Sequence, residues 1–454
     1  MPTGAGKSLT FQIPARLLPG TVLVVSPLIS LMKDQVDGLA RNGFRATVIN
    51  STLDWETRRD RLRRLAAGEY ELVYVAPEGL EGGLRSFLGG VRVSLVVVDE
   101  AHCIPEWGHD FRPAYRRLRG LKHELGGVPI LALTATATRR VAGDIIRQLG
   151  MVKPDGFKGS FFRPNLVLTA HKKGDGGGSR KDLLAYVRRR AGESGIIYVL
   201  TRKNVESLAE FLHAAGVRAV PYHAGLEDAV RARHQDAFAR DEVDVVVATI
   251  AFGMGIDKSN VRYVIHREMP RSIEGYYQEI GRAGRDGLAS DCILLYSWAD
   301  VLAHRRLQET IEDAELRREA GRKSLAIYEL AEAPGCRHQS LVARFDETIP
   351  ACGTACDFCR GTSFADLVRP VKSAPVDRPA PSPDGELFQR LRALRRALAD
   401  AEGVPAYIVF SDAVLTRMAA ACPTDEAGFL AVPGVGPAKL ARYGEAFLRV
   451  LRAG

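Results

Sequence analysis

Along the front two thirds of the chain, short uninterrupted apolar runs alternate with longer stretches whose apolar residues recur every three or four positions. Runs without polar interruption suit strands covered on both faces, and the helical stretches between them supply the cover. The pattern predicts strands at 21–26, 72–75, 95–98 and 130–133 in a first lobe. It predicts a second set at 195–199, 218–222, 243–248, 261–265 and 293–296. Strand and helix in alternation give parallel sheets, so the expected fold is α/β in two lobes, divided near residues 154–159. A glycine run at 174–178 is expected as a surface loop of the second lobe.

From about residue 299 the pattern turns helical and highly charged, ending in a cysteine cluster. Residues 363–384 carry Pro370, Pro375, Pro379, Pro381 and Pro383 among Ala and Ser, the composition of an extended tether. Helical period returns at 387–398, 405–410, 412–420 and from 429 onward. The expected units are therefore lobe 1 at 1–155, lobe 2 at 156–298, a helical unit at 299–362, a linker at 363–384 and a last all-α unit at 385–454.

Composition narrows the chemistry. A chain of 454 residues holds three or four such units, and a net charge of +9 favours a polyanionic partner, with solubility charge as the alternative. No apolar stretch of membrane-spanning length occurs and no charged-then-apolar leader, so neither a membrane span nor secretion is expected. Seven cysteines, an odd number in a large chain, suit a reducing compartment such as the cytoplasm.

The chain opens on Met1-Pro2-Thr3-Gly4-Ala5-Gly6-Lys7-Ser8. Small residues around Gly4 and Gly6 let backbone N–H groups face phosphate oxygens, Lys7 adds a point charge, and Ser8 offers an oxygen to Mg²⁺. Such a cradle needs a buried strand behind it, and its spacing wants Gly where Met1 stands, so a front segment is expected to be missing. The apolar run at 95–98 ends in Asp99-Glu100-Ala101-His102. There Asp99 can hold Mg²⁺ and Glu100 can orient or deprotonate the attacking water. His102 either carries a signal from the nucleotide to a bound strand or closes a turn.

In the second lobe, Gln278 leads a segment with Arg282 and Arg285 three apart on one helical face. From across a cleft, two guanidinium groups can stabilise charge on a transferring phosphoryl group. Cys336, Cys352, Cys356 and Cys359, with fifteen, three and two residues between them, suit a tetrahedral structural Zn²⁺, His338 being the rival ligand. Cys103, Cys292 and Cys422 are expected as ordinary buried thiols.

Residues 1–8, 26–35, 75–78, 99–102, 133–137, 222–226, 248–258 and 278–287, taken in order, resemble the motifs of the RecQ family of superfamily-2 DNA helicases over residues 1–360. Residues 385–454 resemble an HRDC domain. The resemblance implies two RecA-like lobes, a zinc-binding subdomain and an HRDC domain. It also implies an ATP-dependent DNA helicase moving 3′ to 5′ in repair and recombination, with ATP, Mg²⁺ and Zn²⁺. The implied partners are single-stranded and forked DNA and, besides, single-strand-binding and other repair proteins; the implied state is a monomer at the bacterial nucleoid.

The same resemblance places a DNA-sensing aromatic loop on Trp107, Phe111 and Arg112, where stacked bases would trigger hydrolysis. Pro105 and Glu106 depart from the small polar residues expected in that loop. Gln278 and Asp257 join the nucleotide contacts. Ser26, Thr134, Arg202, His223 and Thr249 would grip the strand's phosphates, each being equally readable as a turn or cap residue. The 26 residues between Cys359 and Glu386 leave no room for the winged-helix domain that such chains often carry there. A Gly-Val-Gly turn at 434–436 either holds DNA phosphates or packs a helical hairpin. Two other functions fit parts of the pattern: an RNA-directed superfamily-2 motor, and a DNA-binding protein whose motor is impaired by the short ATP site.

Overall fold

In the computed structural model the described residues are 1, 6–27, 29–80, 83–104, 113–175, 177–253, 258–369 and 385–453. The first lobe is a parallel sheet of β1 (Thr21–Val25), β2 (Ala46–Ile49), β3 (Leu72–Val75), β4 (Val93–Val98) and β5 (Ile130–Ala132), in the order β2-β3-β1-β4-β5. Every residue of the central β1 is buried, as its Thr-Val-Leu-Val-Val sequence requires of a strand with helices on both faces.

The second lobe is also all-parallel: β6 (Leu166–Lys172), β7 (Ser194–Tyr198), β8 (Ala219–Tyr222), β9 (Val245–Ala248), β10 (Val261–His266) and β11 (Ser290–Tyr296), ordered β6-β11-β10-β7-β9-β8. Gly195 on β7 lets the Tyr263 ring of β10 lie flat on the backbone; a Cβ there would sit 1.9 Å from that ring.

The pattern did not predict β2 and β6. Both are sheet edges, where burial asks for less continuous apolarity. β2 is only four residues long, and β6 ends in Thr-Ala-His-Lys. The second sheet accordingly begins at β6, well before the first strand predicted for it. The glycine run follows β6 as expected, as far as it is described, and leads to the helix Arg180–Arg189.

Helices Trp298–Gln308, Ala314–Glu332 and Arg337–Ala343 do not form a separate body. Ile327, Ala331, Cys336, Leu341 and Phe345 share one apolar core with β10 and β11. The last unit packs helices Glu386–Glu402, Ala406–Val409, Asp412–Ala421, Glu426–Ala431 and Pro437–Arg452 around Phe410, Phe429 and Phe447. The helical stretch from 429 onward is interrupted at 432–436, where the expected Gly-Val-Gly turn lies and Gly434 takes a φ of 100°. Cys422 is also corrected: it caps Asp412–Ala421 in the left-handed region and is exposed.

This unit is docked on the second lobe by charge. Arg395, fully buried, reaches Asp412 at 2.6 Å within its own unit and Asp241 at 3.8 Å across the interface. Asp241 also pairs with Lys258, and Arg392 and Arg396 donate to Gly192 O and Asp241 O. No helix among the described residues is long and apolar enough to cross a membrane.

Candidate functional site

β4 delivers Asp99 to the C-terminal edge of the first sheet, where ligands of parallel α/β sheets bind. The chain then turns sharply, Glu100 taking a left-handed φ of 47°. The turn is pinned by Glu100 N–H donating to Asp99 Oδ1 (2.9 Å) and by the Tyr115 hydroxyl donating to Asp99 O (2.8 Å). Burial, then the neighbouring Glu100 charge, push the Asp99 carboxyl up to about 7, with Lys7 opposing. Two adjacent carboxyls at a strand end, one of them buried, offer the oxygen ligands that a divalent cation takes. Gly6 turns at a φ of 77° just before Lys7 and Ser8, which lead into the helix Leu9–Leu17. Gly4 and Asp257 lie outside the described residues, as do Trp107, Phe111 and Arg112.

From His102 a polar chain crosses between the lobes. Thr134 Oγ1 donates to Thr136 O (3.1 Å), so at 3.0 Å from His102 Nδ1 it accepts the ring's N–H. That tautomer leaves Nε2 bare, and Gln278 Nε2 of the second lobe donates to it at 3.3 Å and to Thr136 Oγ1 at 3.2 Å. Glu100 Oε2 lies 3.3 Å from the same His102 Nδ1. The acidic pair is thereby joined, through two hydroxyls and one imidazole, to the helix Ile273–Ile280 that leads to Arg282 and Arg285. Arg282 is buried against Tyr198, and its Nε has no hydrogen-bond partner among the described residues.

The second centre is the cysteine cluster. The sulfurs of Cys336, Cys352, Cys356 and Cys359 all lie within 4.8 Å of one another. Burial opposes the Cys336 thiolate, but N–H groups of Gln339 and Cys352 bring its pKa down to about 7. Cys352 and Cys359 are pushed upward by burial and by the thiols around them. Four sulfurs crowded in this way fit a tetrahedral Zn²⁺, which would hold all four as thiolates. His338 is not part of this cluster, and its Nε2 faces elsewhere, 2.9 Å from Leu166 O and 3.1 Å from Ala355 O. Asp357 ties the cluster to the sheet, accepting from Ala170 N–H of β6 and pairing with Arg337.

Comparison with known proteins follows this geometry. A DEAD/DEAH box helicase model matches residues 1–145 and a helicase conserved C-terminal domain model residues 179–287. A RecQ zinc-binding model matches 298–360 and an HRDC domain model 384–451. The ATP-dependent DNA helicase RecQ of Bacillus subtilis is 36% identical across the whole chain, which covers 92% of it. That of Pasteurella multocida is 38% identical, with 88% covered. The chain belongs to the RecQ family. At the level of fold alone, it resembles the Mycobacterium smegmatis helicase Lhr bound to ssDNA and AMP-PNP (TM-score 0.51, 20% identity, 72% of this chain and 53% of that one). It also resembles S. cerevisiae Dbp5 bound to RNA and ADP BeF3 (TM-score 0.53, 16% identity, 71% and 88%).

Within this RecQ fold the expected strand-gripping residues separate. Arg202 and Thr249 line a cavity of about 240 Å³ at the C-terminal ends of β7, β9 and β10, with Tyr198, His266, Glu268 and Arg271. His223 does not join them: it is buried, its Nε2 facing Glu206 at 3.2 Å and its Nδ1 accepting from Gly225 N–H. Ser26 is buried too, and Thr134 spends its hydroxyl on the interlobe chain. The Ser26 hydroxyl has no hydrogen-bond partner among the described residues. Sequence reading missed the arginine and asparagine ahead of β6, because neither Arg163 nor Asn165 stands in a recognisable motif; only the arginine turn they hold does.

Proposed function

We infer that this RecQ chain is an ATP-dependent DNA helicase that moves 3′ to 5′ on a single strand, drawing on the cleft between its two lobes. The observation that carries the reading is the hydrogen-bonded path His102–Thr134–Thr136–Gln278, which begins 3.3 Å from Glu100 Oε2 of the acidic pair and leads to the arginine turn of the other lobe.

In this reading Gly4, Gly6, Lys7 and Ser8 cradle the phosphates of ATP. Asp99 and Ser8 hold Mg²⁺, which when bound screens phosphate charge. Glu100 orients the attacking water, with Asp257 beside the nucleotide. Arg282 and Arg285 meet charge that develops on the transferring group. The Arg282 Nε left without a partner is what an anion site would show. Gln278 contacts His102 directly, so its part is to report nucleotide state across the cleft rather than only to bind it.

Arg202 and Thr249 take strand phosphates at the second lobe, with Trp107, Phe111 and Arg112 stacking bases from the first. Cys336, Cys352, Cys356 and Cys359 hold a structural Zn²⁺. The working divisions are lobe 1 at 1–155, lobe 2 at 156–298, zinc subdomain at 299–362, linker at 363–384 and HRDC domain at 385–454. The substrate is single-stranded or forked DNA, met in repair and recombination in the bacterial cytoplasm and at the nucleoid. The protein acts as a monomer alongside single-strand-binding and repair proteins.

The test measures unwinding of partial duplexes with 3′ or 5′ single-stranded tails, together with ATPase stimulation by ssDNA and ssRNA. Unwinding from 3′ tails, with ssDNA the better activator, is expected. Equal stimulation by ssRNA would return the reading to an RNA motor.

A further inference from the structure

The segment that connects the lobes does more than join them. Its Phe161 stacks on Phe345 (4.5 Å between centroids, 13° between planes), and Phe161 N–H donates to Glu347. Tyr277, one residue before Gln278, donates its hydroxyl to Phe161 O at 3.1 Å. Two residues further along the connector, Arg163 presents its guanidinium to the turn that carries the two arginines. Arg163 Nη1 donates to Gly281 O (2.9 Å), and Nη2 donates to Ala283 O (2.9 Å) and Gly284 O (2.7 Å). Asn165 Nδ2 adds bonds to Gly284 O and Leu288 O. Gly284 sits at a φ of 55°, and a Cβ there would lie 2.5 Å from Asn165 Nδ2, so the close approach depends on glycine.

The carbonyls that Arg163 gathers flank Arg282 and immediately precede Arg285. One of them, Gly281 O, is the cap carbonyl of the helix Ile273–Ile280, at its negative pole. A planar fork can hold three such oxygens at once; an ammonium on a flexible stem cannot fix them in one plane. We propose that Arg163 is a positioning residue for ATP hydrolysis: the interlobe connector uses it to hold Arg282 and Arg285 in the register that meets the transferring phosphoryl group. The proposal rests on the reading of those two arginines given above. It makes the connector a rigid link, so that a change in lobe angle is felt at the arginine turn.

The experiment uses the full chain with its zinc. ATPase rates in saturating ssDNA are compared for Arg163→Lys, Arg163→Ala, the double variant Arg282→Ala/Arg285→Ala and the triple variant that adds Arg163→Lys to it. The expected result is a fall in kcat of about tenfold or more for Arg163→Lys, with KM for ATP and affinity for ssDNA held within about twofold. Added guanidinium ion at millimolar concentration restores part of the Arg163→Ala rate. In the triple variant the Arg163→Lys loss disappears, since its target is gone.

Multiplicative losses in the triple variant would overturn the proposal, as would a wild-type kcat in Arg163→Lys. A rise in KM or loss of ssDNA affinity in step with kcat would do the same. Loss of folding in both single variants, seen as a lowered thermal midpoint and released zinc, would make the contact purely structural and overturn it too. If Arg282→Ala/Arg285→Ala itself keeps full activity, it is the underlying function reading that fails.

Discussion

Asp99 is the residue in which fold and chemistry meet. It lies at the end of a fully buried run of β4, against Tyr115 and Glu100, and burial with the Glu100 charge pushes its carboxyl up to about 7. The sign of its linkage follows. A carboxyl raised in the folded state favours folding below its unfolded pKa, and that contribution is lost as pH rises through about 7. Asp99→Asn, which cannot ionise, should therefore raise the thermal midpoint of the nucleotide-free protein more at pH 8 than at pH 5. Each kcal/mol so gained is worth about 2–4 °C in a lobe of this size. The same variant should lose nearly all ATPase activity. Calorimetry at the two pH values checks the first expectation, and an equal shift at both would contradict the linkage.

At the scale of elements, most of what the sequence disclosed was the interior of the sheets. Uninterrupted Val, Leu and Ile runs have few other fates in a large globular chain, so the central strands were legible to within a few residues. The edge strands β2 and β6 were not, because an edge tolerates the polar residues seen in β6 and the brevity of β2. Motif residues were legible as types, while their contacts were not. His223 and Thr134 sit where the motifs put them, and their polar atoms bond Glu206, Gly225, His102 and Thr136. Spacing cannot show which neighbours a polar atom meets.

Two predictions belong to this scale. Gly284→Ala should lower kcat at least tenfold while zinc stays bound, because a left-handed alanine would collide with Asn165 and Leu288 O and shift the arginine turn. Cys356→Ser should release the metal, read by a colorimetric zinc assay. It should also lower the thermal midpoint, because Cys356 is fully buried in the core that the helical unit shares with β10 and β11.

Across the whole molecule, the HRDC domain is held to the second lobe by a buried set of four charges: Asp241, Lys258, Arg395 and Asp412. Burial alone would raise the Asp241 carboxyl, but Lys258 and Arg395 hold it far below the ordinary carboxylate range. Its contribution is thus present above the unfolded carboxyl pKa and fades only in strong acid. Asp241→Ala would leave two cations buried without their shared partner, a loss of about 3–5 kcal/mol for breaking such a set. The expected readouts are a lower midpoint at pH 7 and faster proteolysis between residues 363 and 384 as the last unit lets go. Unchanged cleavage would show that the unit is held by other contacts.

The most direct test of two lobes working as one ATPase is phosphate release by the full chain, with and without a single-stranded DNA oligonucleotide, in the native protein and in Lys7→Ala and Arg285→Ala. The account predicts strong stimulation by the oligonucleotide, its abolition in Lys7→Ala, and a loss of about 10³-fold in Arg285→Ala, the low end of what a phosphate-facing arginine contributes. Phosphate release that ignores DNA, or that persists at the native rate once Arg285 is replaced, would contradict it.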